Sequence, residues 1–279
     1  MDAYVNEELA ADGEAVVRLS RRLGELGSVV VAFSGGVDSS LLLHVAQQVL
    51  GGRVCALTAA SESLTDEERE EAAAVAGSFG ARHVVVSSQE LDRPGYRANA
   101  GDRCYHCKTE LFELAAAFAE REGYAAVVDG TVLDDLAEHR PGLRAAGELG
   151  VLHPLVEAGF DKGRVRRVAR ARNLAVWDKP AAPCLGSRVA VGTTVTRERL
   201  RAIAAVERQL RVEGFRVYRV RVHEMDGGDL ARIELGVDEL SRAAEPAVRG
   251  ALYRAGREAG FRMVTLDLAG YRRGGGTPA

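Results

Sequence analysis

Long hydrophobic runs are missing from this 279-residue chain: no stretch of eighteen uncharged apolar residues occurs, so no membrane-spanning helix is expected. An excess of basic charge is missing too. Lys and Arg number 37 against 40 Asp and Glu, a formal net charge of −3, which argues against a protein built to coat nucleic acid. The opening residues, MDAYVNEELAADGE, are acidic and carry no apolar signal core, so the cytoplasm is the expected compartment. Four cysteines are too few to suggest a disulfide framework, which leaves metal binding or catalysis as their expected use. No internal repeat and no glutaminase domain is visible. What the chain does have is 47% hydrophobic residues, enough for a sizeable core and for two domains at this length.

The strongest local signal is the loop Ser34-Gly35-Gly36-Val37-Asp38-Ser39. It follows the apolar run Val29-Val30-Val31-Ala32-Phe33, which reads as a buried parallel strand, and it opens a helix with a Leu/Val face over residues 39–50. At such a junction free backbone N–H groups and the helix dipole favour an anion. Gly35 and Gly36 let the backbone approach that anion. Ser34 and Ser39 add hydroxyl donors, and Asp38 offers oxygens to a magnesium ion. The Lys of a Walker A loop is absent and the Rossmann glycine spacing does not fit. The pattern SGGxDS resembles the PP-loop of the ATP pyrophosphatase superfamily, whose members cleave ATP between its α and β phosphates and adenylate a substrate.

The remaining pattern predicts an α/β fold: a doubly wound parallel sheet with a smaller C-terminal α+β domain. Strands are expected at residues 53–59, 82–87 and 125–128, with a short one at 174–177. Helices are expected at 66–79 behind the capping box Thr65-Asp66-Glu67-Glu68, within 104–123, and at 161–173. Residues 88–102 read as a loop, and the basic stretch 164–172 as a solvated helix face. Lys179-Pro180-Ala181-Ala182-Pro183 reads as a linker, which places the domains at 1–187 and 188–279. Beyond it, Thr196 opens a helix to about residue 212, strands cover 215–222 and 230–235, one helix spans 237–259, and a strand covers 262–266.

Cys104-Tyr105-His106-Cys107 is a CxxC, and Cys184 lies far along in Pro183-Cys184-Leu185-Gly186-Ser187-Arg188. Cys55, among apolar strand neighbours, reads as a buried structural thiol. The CxxC alone is compatible with half a zinc site completed by His106 or His153, a redox pair, or two cluster ligands. Three thiolates can also hold a 4Fe-4S cluster with one iron open for a sulfide.

The stretches VAFSGGVDSSLLL, TAASESLTDEE, RCYHCKTELF, DGTVLDD, EHRPGLRAAGELGV, PCLGSR, YRVRVH, ARIEL and TLDLAGYR resemble the LarE sulfur transferases over residues 25–272, nearly the whole chain. The combination of HRPG, C-x-x-S-R and R-V-R-V-H carries the specificity. The resemblance implies an ATP-dependent enzyme of nickel-pincer cofactor synthesis that adenylates the carboxylates of pyridinium-3,5-biscarboxylic acid mononucleotide and turns them into thiocarboxylates. In one branch of the family a single cysteine, here Cys184, surrenders its sulfur. In the other, two more cysteines join it around a 4Fe-4S cluster, and Cys104 and Cys107 place this chain there. The resemblance further implies ATP and magnesium at Ser34, Gly35, Gly36, Asp38 and Ser39, with Ser61 near the adenosine and Thr131 and Asp134 facing the nucleotide or its metal. It gives the substrate phosphate to Arg219 and Arg221, helped by Glu207, Asp238 and Arg272. Its remaining implications are a small-molecule partner, no nucleic acid or membrane, and a homo-oligomer, trimer or hexamer. A PP-loop tRNA thiolase is the competing enzyme reading, but a basic surface or added RNA-binding domain is not visible.

Overall fold

Four apolar residues with no polar face need cover on both sides, and Val29–Ala32 (β1) has it: all four are buried at the centre of a four-stranded parallel sheet. The computed structural model describes residues 2–137, 141–180 and 183–272, and from residue 10 onward their side chains. Glu138, His139 and Arg140 of the EHRPG stretch, Ala181 and Ala182 of the expected linker, and the tail from Arg273 lie outside the described residues. The acidic N-terminal stretch forms helix α1 (Asp2–Leu26), which turns Ala15, Leu19 and Leu23 fully inward at spacings of four. After β1 come α2 (Val37–Leu50), β2 (Val54–Ala60), α3 (Asp66–Ser78), β3 (Arg82–Ser87) and the short α4 (Pro94–Ala98). Then follow α5 (Arg103–Glu122), β4 (Ala126–Asp129), and the helices α6 (Leu133–Ala137), α7 (Pro141–Glu148), α8 (Pro154–Glu157) and α9 (Lys162–Ala171). Strand order is β3-β2-β1-β4, and Leu152 adds a single parallel bridge to Val128 beyond β4.

The period-two alternation of the central strands feeds two cores. Val29, Val31, Val54 and Ala56 meet residues of α1, α2, α3 and α9 on one face. Val30, Ala32, Cys55 and Leu57 meet Phe112 and Ala115 of α5 and Ala145 and Ala146 of α7 on the other. Cys55 is fully buried, and burial raises its thiol pKa.

The chain divides into two compact units. The first comprises Met1–Ser61, Asp66–Glu90 and Cys104–Ala182; the second takes Glu62–Thr65, Leu91–Arg103 and Pro183–Ala279. The second unit holds α4, α10 (Arg197–Val212), β5 (Tyr218–Met225), β6 (Gly228–Leu235), α11 (Leu240–Ala243), α12 (Pro246–Glu258) and β7 (Met263–Leu266). Its sheet runs β5-β6-β7, antiparallel then parallel. Thr196 caps α10 by accepting from the Arg199 amide. Among the described residues no helix is long and apolar enough to cross a membrane.

Four expectations need correction. Residues 174–177 form a turn rather than a strand: Asn173 (φ 56°) ends α9 in the left-handed region, and the Trp177 amide bonds back to Leu174 O. Leu174 and Val176 still reach the core, so burial there signalled packing, not a ladder. The expected helix 237–259 is broken, because Pro246 cannot donate an amide and opens α12 instead. The expected loop 88–102 contains α4. The basic helix α9 is not simply a solvated face, since Arg164 and Arg167 both clasp buried Asp12 of α1 at 2.9 Å.

Candidate active site

In the first unit the chain leaves β1 toward β2 on one side and returns through β4 on the other. The carboxyl end of β1 is therefore the switch point at which open α/β sheets bind ligands. Residues 34–39 lie there. Gly35 has φ 67°, and a Cβ on it would come within 3.1 Å of Ala72 Cα, so both conformation and space demand glycine. Ser39 Oγ donates to Gly36 O at 3.2 Å and lies 3.2 Å from Ser34 Oγ, which accepts from the Gly36 amide at 3.3 Å. Gly36 caps α2 without any side-chain bond to its first turn, which leaves that helix N-terminus suited to an anion. Gly130, just after β4, presses against the same turn: a Cβ there would sit 2.8 Å from Ser39 N.

Asp38 lies in the first turn of α2. Burial, and then the charge of Asp135, push its pKa up to about 6, although Lys162 and Arg166 pull the other way. Lys162 pairs with Asp135 at 3.0 Å, and its amide donates to Asp134 at 2.8 Å. A half-buried carboxyl that resists ionisation is relieved by a divalent cation, so the magnesium carried by ATP fits this position. Thr131 donates its amide (3.0 Å) and hydroxyl (2.9 Å) to Asp129, whose carboxylate also lies 2.7 Å from His153 Nδ1. Burial works to raise the Asp129 pKa, but the bond to His153 and the nearby Lys108 charge outweigh it and the net shift is downward; His153 is shifted upward by the same bond. His153 thus uses Nδ1 on Asp129, and among the described residues it joins no three-ligand set with the cysteines. Ser61 donates to Glu90 at 2.6 Å. Lys179 reaches the loop from the expected linker, with Nζ 3.3 Å from Gly35 O and 2.9 Å from Glu71.

Cys104 and Cys107 are not in disulfides; one is exposed and one half-buried, at the start of α5. Their i, i+3 spacing puts them on one helix face. Gly142 of the HRPG stretch packs here: a Cβ on it would stand 2.9 Å from Lys108 Cγ and 3.6 Å from the Cys104 carbonyl oxygen. Within this unit, among the described residues, no His, Asp or Glu joins the pair to make a three-ligand set. Two thiols on one helix face are soft donors of the kind that iron–sulfur clusters bind.

In the second unit Cys184 is a half-buried thiol outside any disulfide, preceding the 3-10 turn Leu185–Arg188. Arg188 is 3% exposed and grips Glu207 with Nε (3.0 Å) and Nη2 (3.1 Å). Glu207 therefore meets a guanidinium, and its Oε1 also accepts the Val220 amide. Arg221, buried on β5, bonds Glu234 at 3.1 Å and the Ser187 carbonyl at 2.9 Å. Arg219 sits over the Tyr271 ring, and burial together with the Arg188 charge lowers its pKa. Asp238 and Arg272 are exposed. The two meet the same corner, since Tyr271 N bonds Leu235 O and Gly270 abuts Val237.

A family model described as asparagine synthase matches residues 16–98, the span that contains the Ser34–Ser39 loop. An uncharacterized protein of Synechocystis sp. is 41% identical over 256 residues, 92% of this chain and 94% of its own. The pyridinium-3,5-bisthiocarboxylic acid mononucleotide synthase of Lactiplantibacillus plantarum is 38% identical over 253 residues, 90% of each chain. The chain belongs to the LarE family. An uncharacterized protein of Methanocaldococcus jannaschii, 29% identical over 88% of this chain and 90% of its own, is a further relative. As a LarE-family protein the chain is a sulfurtransferase of the PP-loop class, and that class uses ATP. Reading the sequence alone left Arg188 without a role, took Lys179 for linker and missed the Asp129–His153 pair. The DGT stretch was the one available signal for Asp129; nothing adjacent to Lys179 marks it.

Proposed function

We propose that this LarE-family chain adenylates the carboxylates of pyridinium-3,5-biscarboxylic acid mononucleotide and converts them to thiocarboxylates for nickel-pincer cofactor synthesis. The observation that carries this reading is the company of Cys184: a half-buried thiol on a turn gripped by Arg188 and Arg221, with Arg219 desolvated nearby. The guanidinium of Arg219, two residues from Arg221 on β5, suits the phosphate of a mononucleotide, so sulfur and substrate anchor share one unit. Ser34, Gly35, Gly36 and Ser39 hold the ATP phosphates, Asp38 its magnesium, Ser61 lies near the adenosine, and Thr131 and Asp134 face the nucleotide or its metal. A substrate carboxylate oxygen attacks the α-phosphorus and pyrophosphate leaves. The sulfur nucleophile then adds to the acyl carbon and AMP departs. Arg219 and Arg221 anchor the substrate phosphate through both steps, with Asp238 and Arg272 at the rim. Cys104, Cys107 and Cys184 are the thiolates that would hold a 4Fe-4S cluster, which when bound supplies a replaceable sulfide.

Peptide mass spectrometry after turnover tests the reading. Anaerobically reconstituted protein should release pyrophosphate, transfer more than one sulfur per chain and keep Cys184 intact, while Cys104→Ala should lose repeated turnover. Dehydroalanine at position 184 in active wild-type protein would show that Cys184 is consumed and overturn the catalytic sulfur supply.

A further inference from the structure

The turn that carries Cys184 is fastened at almost every residue. The Leu185 amide donates to Ser63 O at 3.0 Å, the Ser187 amide to Cys184 O at 2.9 Å, and Arg221 to Ser187 O at 2.9 Å. Gly186 faces Tyr96 so closely that a Cβ would stand 2.7 Å from its hydroxyl. The hub is Arg188. Its Nη1 donates to Pro183 O, to Cys184 O at 2.9 Å and to Ser187 Oγ at 3.3 Å, so one nitrogen draws together both ends of the turn. The opposite edge of the guanidinium, with which an arginine grips a phosphate, is spent on the two oxygens of Glu207. Glu207 is in turn tied to β5 through the Val220 amide at 3.1 Å. Arg188 is therefore a poor candidate for an anion ligand and a good one for a bracket that fixes the turn to the strand bearing Arg219 and Arg221.

We infer that Arg188 is a positioning residue for Cys184: clamped by Glu207, its guanidinium holds the Pro183 and Cys184 carbonyls so that the thiol is presented at a fixed place relative to Arg219 and Arg221. This rests on the reading of Cys184 as a sulfur-bearing residue. A lysine cannot replace it, because an ammonium lacks the fork that spans a carboxylate on one edge and two carbonyls on the other. A merely stabilising ion pair would behave differently, since replacing both partners of a buried pair by neutral residues is often harmless to stability.

The test uses the full chain. Arg188→Met combined with Glu207→Gln removes both charges yet leaves an acceptor for the Val220 amide. The double variant should keep the wild-type Tm and KM for ATP while kcat for sulfur transfer falls by roughly 100-fold, the scale of a small misplacement of a reacting group. In reduced, metal-free protein, iodoacetamide labelling of Cys184 should shift several-fold relative to exposed Cys104 as internal reference. Arg188→Lys should not restore kcat. Should the double variant fail to fold, Glu207→Asp keeps the charge pair but shortens its arm, and kcat should still fall. Wild-type kcat in the folded double variant, or in Glu207→Asp, overturns the role given to Arg188. Sulfur transfer by Cys184→Ala would instead overturn the reading of Cys184, which separates the two failures.

Discussion

The loop at residues 34–39 and the turn at residues 184–188 are built on opposite plans. The first is made of backbone, glycine and short hydroxyls, its helix N-terminus lacks a side-chain cap, and its acid is held partly uncharged. The second is made of long charged side chains that already satisfy one another: Arg188 with Glu207, Arg221 with Glu234. The difference teaches how to read a mutation. A site with unspent hydrogen bonding loses ligand affinity when altered, whereas a site whose charges are mutually paired loses stability first.

Asp38→Asn should produce the largest effect and pull the two plans furthest apart. Magnesium-dependent pyrophosphate release should drop by about 1,000-fold, matching the several kcal/mol that a metal clamp contributes. The same variant should be more stable than wild type without nucleotide. The folded carboxyl titrates near 6 instead of 3.8, so its ionisation costs stability as pH rises through that range. The gain should reach at most about 3 kcal/mol near pH 7 and vanish below the unfolded pKa. Calorimetry across pH checks the sign, and a loss of stability at pH 7 would contradict the assignment.

Arg221→Ala should show the reverse profile. It leaves the Glu234 carboxylate, 1% exposed, with Arg232 as its remaining partner at 3.2 Å. Unfolding free energy should fall by about 3 kcal/mol, the low end for a broken buried pair, while ATP affinity stays unchanged. Denaturant midpoints and nucleotide titration measure both, and a loss of ATP affinity without a loss of stability would break the contrast.

His153→Gln is the smallest and the most pH-bound of the three. Because the folded His153 pKa is raised above 6.5, its contribution is complete below 6.5 and fades as pH climbs through the folded value. Asp129, depressed below 3.8, gives its share above that pH and loses it on further acidification. The variant should therefore be less stable by about 1–2 kcal/mol between these limits and approach wild type at alkaline pH. A gap that stays constant from pH 5 to 9 would show that packing, not charge, joins the pair.

Much of this was legible in the chain. The Val29–Ala32 run, the glycine pair and the following Leu-rich helix each constrain the backbone locally, so the PP-loop and its strand–helix context could be read directly. The helix starts near Thr196 and Asp161 were legible for the same reason, although Asp161 proves to be the cap and not the first residue of its helix. The 174–177 turn was not, because an apolar segment that packs under a helix carries the same composition as a buried strand. Arg188 was visible only as part of a motif. Its role depends on Glu207, 19 residues away, and on carbonyl directions that composition does not encode. Lys179 and Glu71 are 108 residues apart, and nothing local to either announces the other.

The excursion of Leu91–Arg103 into the second unit has a consequence for synthesis. Asn99, 1% exposed, gives its amide to Val189 O, Ala190 O and Thr193 O, partners 90, 91 and 94 residues downstream. At a translation rate of about 5–20 residues per second, this segment leaves the ribosome roughly 5–20 s before the acceptors it needs exist. Its Tyr96 ring, fully buried in the finished protein, must wait uncovered over that interval. Limited proteolysis of stalled nascent chains should cut within residues 91–103 until synthesis has passed the 189–193 stretch, and a codon-level pause placed before that stretch should lengthen the window of exposure.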